Sequence, residues 1–263
     1  MPDSGASAGS ASDLLLGQRL AIVAALAGLV GVSWLYLFDA AAEMAAMDHA
    51  TMPMPMPPTP AAGLAPLFAM WAIMMVGMML PSAAPVILTF ATVNRRRRGR
   101  GQPYAPTALF VAGYLLAWTG FSAAATLAQW VFEHADLFSP MDMMLTSRPL
   151  GGLLFLAAGL YQLTPLKNAC LGICRSPFDF VVNHWRDGAA GAVRMGLAHG
   201  LYCLGCCWAL MVLLFVGGVM NLAWVAVLTA VVLIEKLLPL GAWTARLSGA
   251  AMIAYGAWLA IAA

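Results

Sequence analysis

The sequence predicts an all-α fold, a polytopic transmembrane helical bundle of about seven spans (six possible) with its amino terminus cytoplasmic. Three observations lead there. The 263 residues are 62% hydrophobic and only 9% charged, with a mean hydropathy of +0.84, whereas soluble domains carry roughly 25% charged residues. The apolar residues run continuously over spanning lengths instead of alternating, which excludes a closed β-barrel. Between two of these runs sits Arg95-Arg96-Arg97-Arg98-Gly99-Arg100, a strong orientation signal.

In chain order, residues 1–18 are rich in Ser, Ala and Gly and read as a disordered tail. Residues 19–263 leave no room for a soluble domain and form one transmembrane unit. The first apolar run, 20–38, is an uncleaved anchor or a signal peptide. Asp39-Ala40-Ala41-Ala42 offers small residues for cleavage, but the length of the run and its lack of a strongly basic start favour the anchor. A Met/Pro-rich loop, 39–63, leads to the second run, 64–90, where Pro81 and Pro85 predict a kink. The third run is 105–130. Beyond the loop 131–147 come a short fourth run, 148–165, and a fifth, 195–217. The sixth, 222–236, is also short and reads either as a span or as one arm of a tight helical hairpin, before the last run at 242–262.

The positive-inside rule places the loop 94–104 in the cytoplasm. Alternation then puts the amino terminus and 166–194 inside, and the loops 39–63 and 131–147 and the carboxyl terminus outside. Arg19, Lys167, Arg175, Arg186, Arg194, Lys236 and Arg246 fall at or near the inner face, and only Arg148 dissents. The arginine block is thus a topology determinant with membrane lipid as its incidental contact, and no nucleic-acid partner is expected.

Chemistry concentrates in the five cysteines, which occupy two short stretches. At about 100° per residue, Cys203, Cys206 and Cys207 lie near +40°, −20° and +80° from His199 on one helical face, with Met195 near −40°. Cys170 and Cys174 share a face of a second helical stretch. Together these offer up to five thiolates and an imidazole, soft donors of the kind Cu(I) or Zn(II) requires. The alternative is that the cysteines are small buried hydrophobes on a helix packed closely through Gly196, Gly200 and Gly205.

Methionine is the second anomaly, 18 residues in all. The outer loops mix Met, His and acids: Met44, Met47, Asp48, His49, Met52, Met54 and Met56 in the first, Glu133, His134, Asp136, Met141, Met143 and Met144 in the second. Thioethers suit copper capture in an oxidising compartment. The Met-Pro alternation holds the first loop extended, which favours loose, exchanging capture over a fixed site; a low-complexity linker is the plain alternative. In the second run Met70, Met74 and Met78 share one face, either as packing or as a ladder leading inward. Glu235, beside Lys236 at the inner end of the sixth run, is either a snorkelling residue or a ligand or proton acceptor. No phosphate-cradling loop or Ser-His-Asp arrangement occurs, so nucleotide-driven and hydrolase readings have no support.

Met70-Trp71, Met78-Met79-Leu80-Pro81-Ser82-Ala83-Ala84-Pro85, Gly113 to Trp118 and Tyr161 to Lys167, with Cys170, Cys174, Gly196, His199, Gly200, Cys203 to Trp208 and Glu235 to Pro239, carry a family resemblance. The chain from the second run onward resembles bacterial integral membrane proteins regarded as metal-binding, a domain of unknown function linked to copper chaperoning. The resemblance implies a multi-pass protein of the bacterial inner membrane and supports copper; the charge-derived orientation then makes 39–63 and 131–147 periplasmic. It covers neither the Met-Pro run nor the tail.

The leading expectation is a non-enzymatic Cu(I)-binding protein that captures copper and delivers it to a membrane copper enzyme or its assembly complex. Its candidate ligands are His199, Cys203, Cys206, Cys207, Cys170, Cys174, Met70, Met74, Met78 and Glu235. Methionine abundance favours Cu(I) over Zn(II), since thiolates accept both. Two alternatives stand beside it. A transmembrane thiol–disulfide relay explains the cysteines but not the Met-rich loops, and a structural subunit of a larger membrane complex would leave the cysteines inert.

Overall fold

The computed structural model describes residues 4–46, 60–139, 143–239 and 241–261. The chain runs through α1 (Ser4–Ala46), α2 (Pro60–Arg98) and α3 (Thr107–His134). Strands β1 (Phe138–Ser139) and β2 (Met144–Leu145) then form a small antiparallel hairpin, Phe138 opposite Leu145. There follow α4 (Arg148–Gln162), α5 (Pro165–Arg175), α6 (Pro177–Asn183), α7 (Gly188–Val212), α8 (Leu214–Gly217), α9 (Leu222–Leu237) and α10 (Gly241–Ile261). The fold is all-α apart from the hairpin. Helix α1 starts at Ser4, inside the stretch expected as a disordered tail; the Ala and Leu residues there are good helix formers.

Four helical stretches, Leu16–Met44, Gly63–Arg98, Thr107–His134 and Gly188–Gly217, are long and apolar enough to cross a membrane, and the bent pair α4 and α5 makes up to five. The difference from the expected seven lies in length and composition. Helix α9 has 16 residues, which at 1.5 Å each is about 24 Å against a hydrocarbon core of about 30 Å. Helix α10 has 21 residues, but Thr244, Arg246 and Ser248 dilute its apolar run. The 148–165 run does not stop but turns, with α4 and α5 meeting at 63°. Thr164 precedes Pro165 and is excluded from the helical region, so it is extended at ψ 149° and instead caps α5, its hydroxyl accepting from Lys167 N at 3.3 Å.

Two helix pairs approach closely because glycine allows it. Between α3 and α7, a Cβ on Gly113 would collide with the Val193 carbonyl and one on Gly196 with the Phe110 carbonyl, while one on Gly200 would sit 2.7 Å from Ala117 Cβ. Helices α4 and α10 meet through Gly152, Gly159, Gly249 and Gly256 in the same manner. Helix α1 lies against α2, where Ser33 Cβ would be 3.2 Å from a Cβ on Gly77, and turns apolar side chains outward: Val32 is 67% and Leu35 69% exposed. An outer surface so apolar is compatible with a bilayer. At the arginine end of the bundle Arg97 pairs with Asp187 at 2.8 Å, and Trp185 Nε1 donates to the same carboxylate at 2.8 Å. The indole N–H and then the guanidinium hold the Asp187 carboxyl below its ordinary range.

Candidate metal centre

Helix α7 turns Cys203, Cys206 and Cys207 into the interior, where each is at most 2% exposed. Five helices converge on them. The close α3–α7 crossing brings Tyr114 to the cluster, its hydroxyl donating to Met79 O at 3.0 Å and lying 3.1 Å from Cys203 Sγ. From α2, Met79 Sδ is 3.9 Å from Cys207 Sγ, and Ser82 Oγ donates to Met79 O at 2.8 Å. The bend before α5 points Cys174 inward, within reach of Cys203 and Cys206. Cys170 lies beside Gly205, where a Cβ would be 2.9 Å from its Sγ, and Tyr161 donates to the Gly205 carbonyl on the same side. The sequence-derived grouping of the two cysteine stretches is therefore present in space.

The fifth contributor is Lys236 on α9. Its Nζ is 2.8 Å from Cys203 Sγ, 3.9 Å from Cys207 Sγ and 3.3 Å from Ser82 Oγ. An ammonium this deeply buried needs a negative partner, and of these groups only a thiolate supplies one. Glu235, the adjacent residue, faces away from the thiols. Its Oε2 accepts from Lys167 Nζ at 2.6 Å, and its Oε1 accepts from Gln162 Nε2 at 2.8 Å and Ser248 Oγ at 3.1 Å. One helix end thus serves two separate buried polar centres.

His199 is 2% exposed and its Nδ1 has no hydrogen-bond partner among the described residues. Its ring packs 5.0 Å from Phe180, 5.9 Å from Tyr114 and 6.4 Å from Phe110, centroid to centroid. An orphaned buried nitrogen one turn from Cys203 is a donor with no present occupation. Met70, Met74 and Met78 are buried in the core of α2 at 7%, 0% and 0% exposure; the methionine that meets a thiol is Met79.

Among the described residues, no three His, Cys, Asp or Glu side chains form a ready-made metal cage. Cys206 Sγ and Cys207 Sγ instead both donate to Cys203 O at 3.0 Å. Thiols, a thioether and an imidazole are nevertheless the donor types that soft and borderline metal ions take.

Met47, Asp48, His49, the Met-Pro run, Met141 and Asp142 lie outside the described residues. At the carboxyl end of α3, Glu133 accepts from Gln129 Nε2 at 2.9 Å, and the His134 ring packs tilted against Trp130, their centroids 4.1 Å apart. Both are engaged within α3. Trp71 donates to Gln129 Oε1 at 2.9 Å and packs 5.1 Å from Phe215, closing the bundle above Met74 and Met78.

Sequence reasoning passed over Tyr114, Ser82, Met79 and Lys236 as site residues. Lys236 looked like an interfacial lysine because it ends an apolar run, while Tyr114 and Ser82 are ordinary helix residues until the crossing brings them to the thiols. No curated protein and no solved structure matches the chain. Residues 68–259, which include all five cysteines, Tyr114 and Lys236, match a family described as copper chaperone. With well over half its length matched, from the start of the methionine face of α2 into α10, this chain belongs to that copper chaperone family.

Proposed function

We propose that this protein is a multi-pass inner-membrane Cu(I) chaperone that captures copper at its periplasmic face and delivers it to a membrane copper enzyme. Membership of a copper chaperone family supports the metal. The observation that carries the reading is the buried sulfur cluster of Cys203, Cys206 and Cys207, with the half-buried Cys174 within reach, flanked by Met79 and the unpartnered His199 Nδ1. Thiolates and a thioether favour Cu(I) over Mg(II) or Ca(II), and the extra thioether favours it over Zn(II). The protein is proposed to carry copper as cargo without acting as an enzyme. In this reading the bundle spans seven times, the short α9 crossing where the bilayer thins locally, and the arginine end is cytoplasmic.

The deciding experiment measures metal by plasma mass spectrometry in protein purified anaerobically without a histidine tag. Wild type is expected to hold near-stoichiometric copper, and Cys203→Ser/Cys206→Ser/Cys207→Ser to hold almost none. Metal-free wild type whose thiols cycle with a disulfide reagent would overturn the proposal. It would favour the thiol–disulfide relay, for which the approach of Cys174 to Cys203 and Cys206 is the supporting geometry.

A further inference from the structure

A buried cation beside a cation-binding site looks like an obstacle, because Lys236 Nζ and a copper ion would repel each other. Charge balance points the other way. A Cu(I) ion held by two thiolates carries one net negative charge, and an uncompensated charge in an apolar interior is strongly disfavoured. Lys236 is 6% exposed, and its ammonium touches Cys203 Sγ at 2.8 Å while Ser82 Oγ, 3.3 Å away, holds it from the side of α2. The carboxylate nearest in sequence, Glu235, is already neutralised by Lys167. Lys236 is therefore the positive charge available to the thiol cluster among the described residues, and no other ion pair claims it.

We propose that Lys236 is the counter-charge of the copper site, remaining beside the thiolates when metal is bound and fixing the site at one Cu(I) on two thiolates. The inference rests on the copper reading above and adds a selectivity determinant to it. Two Cu–S bonds form as the bonds from Cu(I) to the ligand that delivered it break, no electron moves, and any displaced thiol proton is taken up by that released ligand. The sum over Cu(I), two thiolates and the ammonium is zero. Zn(II) on the same two thiolates is itself neutral and would leave the ammonium as one uncompensated positive charge, so the lysine disfavours it. Replacing Lys236 by a neutral side chain reverses the preference: the Cu(I) complex becomes an unpaired anion, and the Zn(II) complex becomes neutral.

The test is competition titration of purified protein in detergent with Cu(I) and, separately, with Zn(II), using wild type, Lys236→Met and Lys236→Arg. Lys236→Met is expected to bind Cu(I) roughly a hundredfold more weakly, the order expected when a buried charge loses its partner, and Zn(II) more tightly than wild type. Lys236→Arg is expected to restore the order of preference. A purely structural lysine would weaken both metals together, and that result overturns the proposal, as does unchanged or tighter Cu(I) binding by Lys236→Met. Should that variant not fold, Lys236→Gln retains a polar contact for Ser82 and makes the same comparison. Wild type that binds no copper overturns the chaperone reading itself, whereas wild type that binds copper indifferently to residue 236 overturns this inference alone.

Discussion

Lys167 and Glu235 illustrate what a single residue means inside this bundle. The pair is 2.6 Å apart with side chains 0% and 3% exposed, and Gln162 and Ser248 complete the carboxylate's hydrogen bonds. Removing one partner strands the other charge. Lys167→Met is therefore expected to destabilise the protein by about 3–5 kcal/mol, and Lys167→Met/Glu235→Leu to recover much of that loss. Thermal unfolding in detergent checks this; a double variant no more stable than the single one would show that the network is not acting as a charge pair. Glu235 and Lys236 were adjacent letters in the sequence, and nothing in that adjacency said that one would face a lysine and the other a thiol cluster. Their directions follow from the 100° step of α9 between α5 on one side and α2 and α7 on the other.

Among the elements, the α3–α7 pair sets the site. Tyr114 reaches Cys203 because Gly113, Gly196 and Gly200 let two backbones touch. Gly196→Leu would drive its side chain into the Phe110 carbonyl, so the helices must part; loss of folded protein or of bound copper is expected. Gly172→Ala, on α5 where a Cβ meets nothing within 4 Å, is expected to fold and keep its copper, and to gain about 0.5–1 kcal/mol of stability from alanine's better helix propensity. Size-exclusion profiles and copper content of the two variants decide this, and a tolerated Gly196→Leu would refute the close-packing argument. Gly196 and Gly200 were legible in the sequence as close-packing signals, and so was the one-faced cysteine stripe, whereas Gly113 was not read in this way. The turn between α4 and α5 was not read, although its cause, a threonine before proline, is a local rule. Its consequence is large, since the 63° bend is what carries Cys170 and Cys174 toward α7.

For the whole molecule, the proposed orientation rests on the arginine block. A membrane-impermeant maleimide applied to spheroplasts is expected to label Ala135→Cys but to label Gly99→Cys only after permeabilisation, with wild type as the background for the native cysteines; the reverse pattern would invert the proposed topology. The sequence alone determined the all-α class, the long apolar helices and the one-faced cysteine stripe, because continuous hydrophobicity and helical spacing are properties of neighbouring residues. It could not determine how many of the shorter runs stand as full-length helices, because bends and helix ends depend on packing as well as on apolar length. Which charged and polar side chains share the interior with the thiols was decided only by the tertiary structure. Lys236, Tyr114, Ser82 and Cys203 come from four helices, and they meet because glycine crossings and a proline-induced bend fix distances that no single helix encodes.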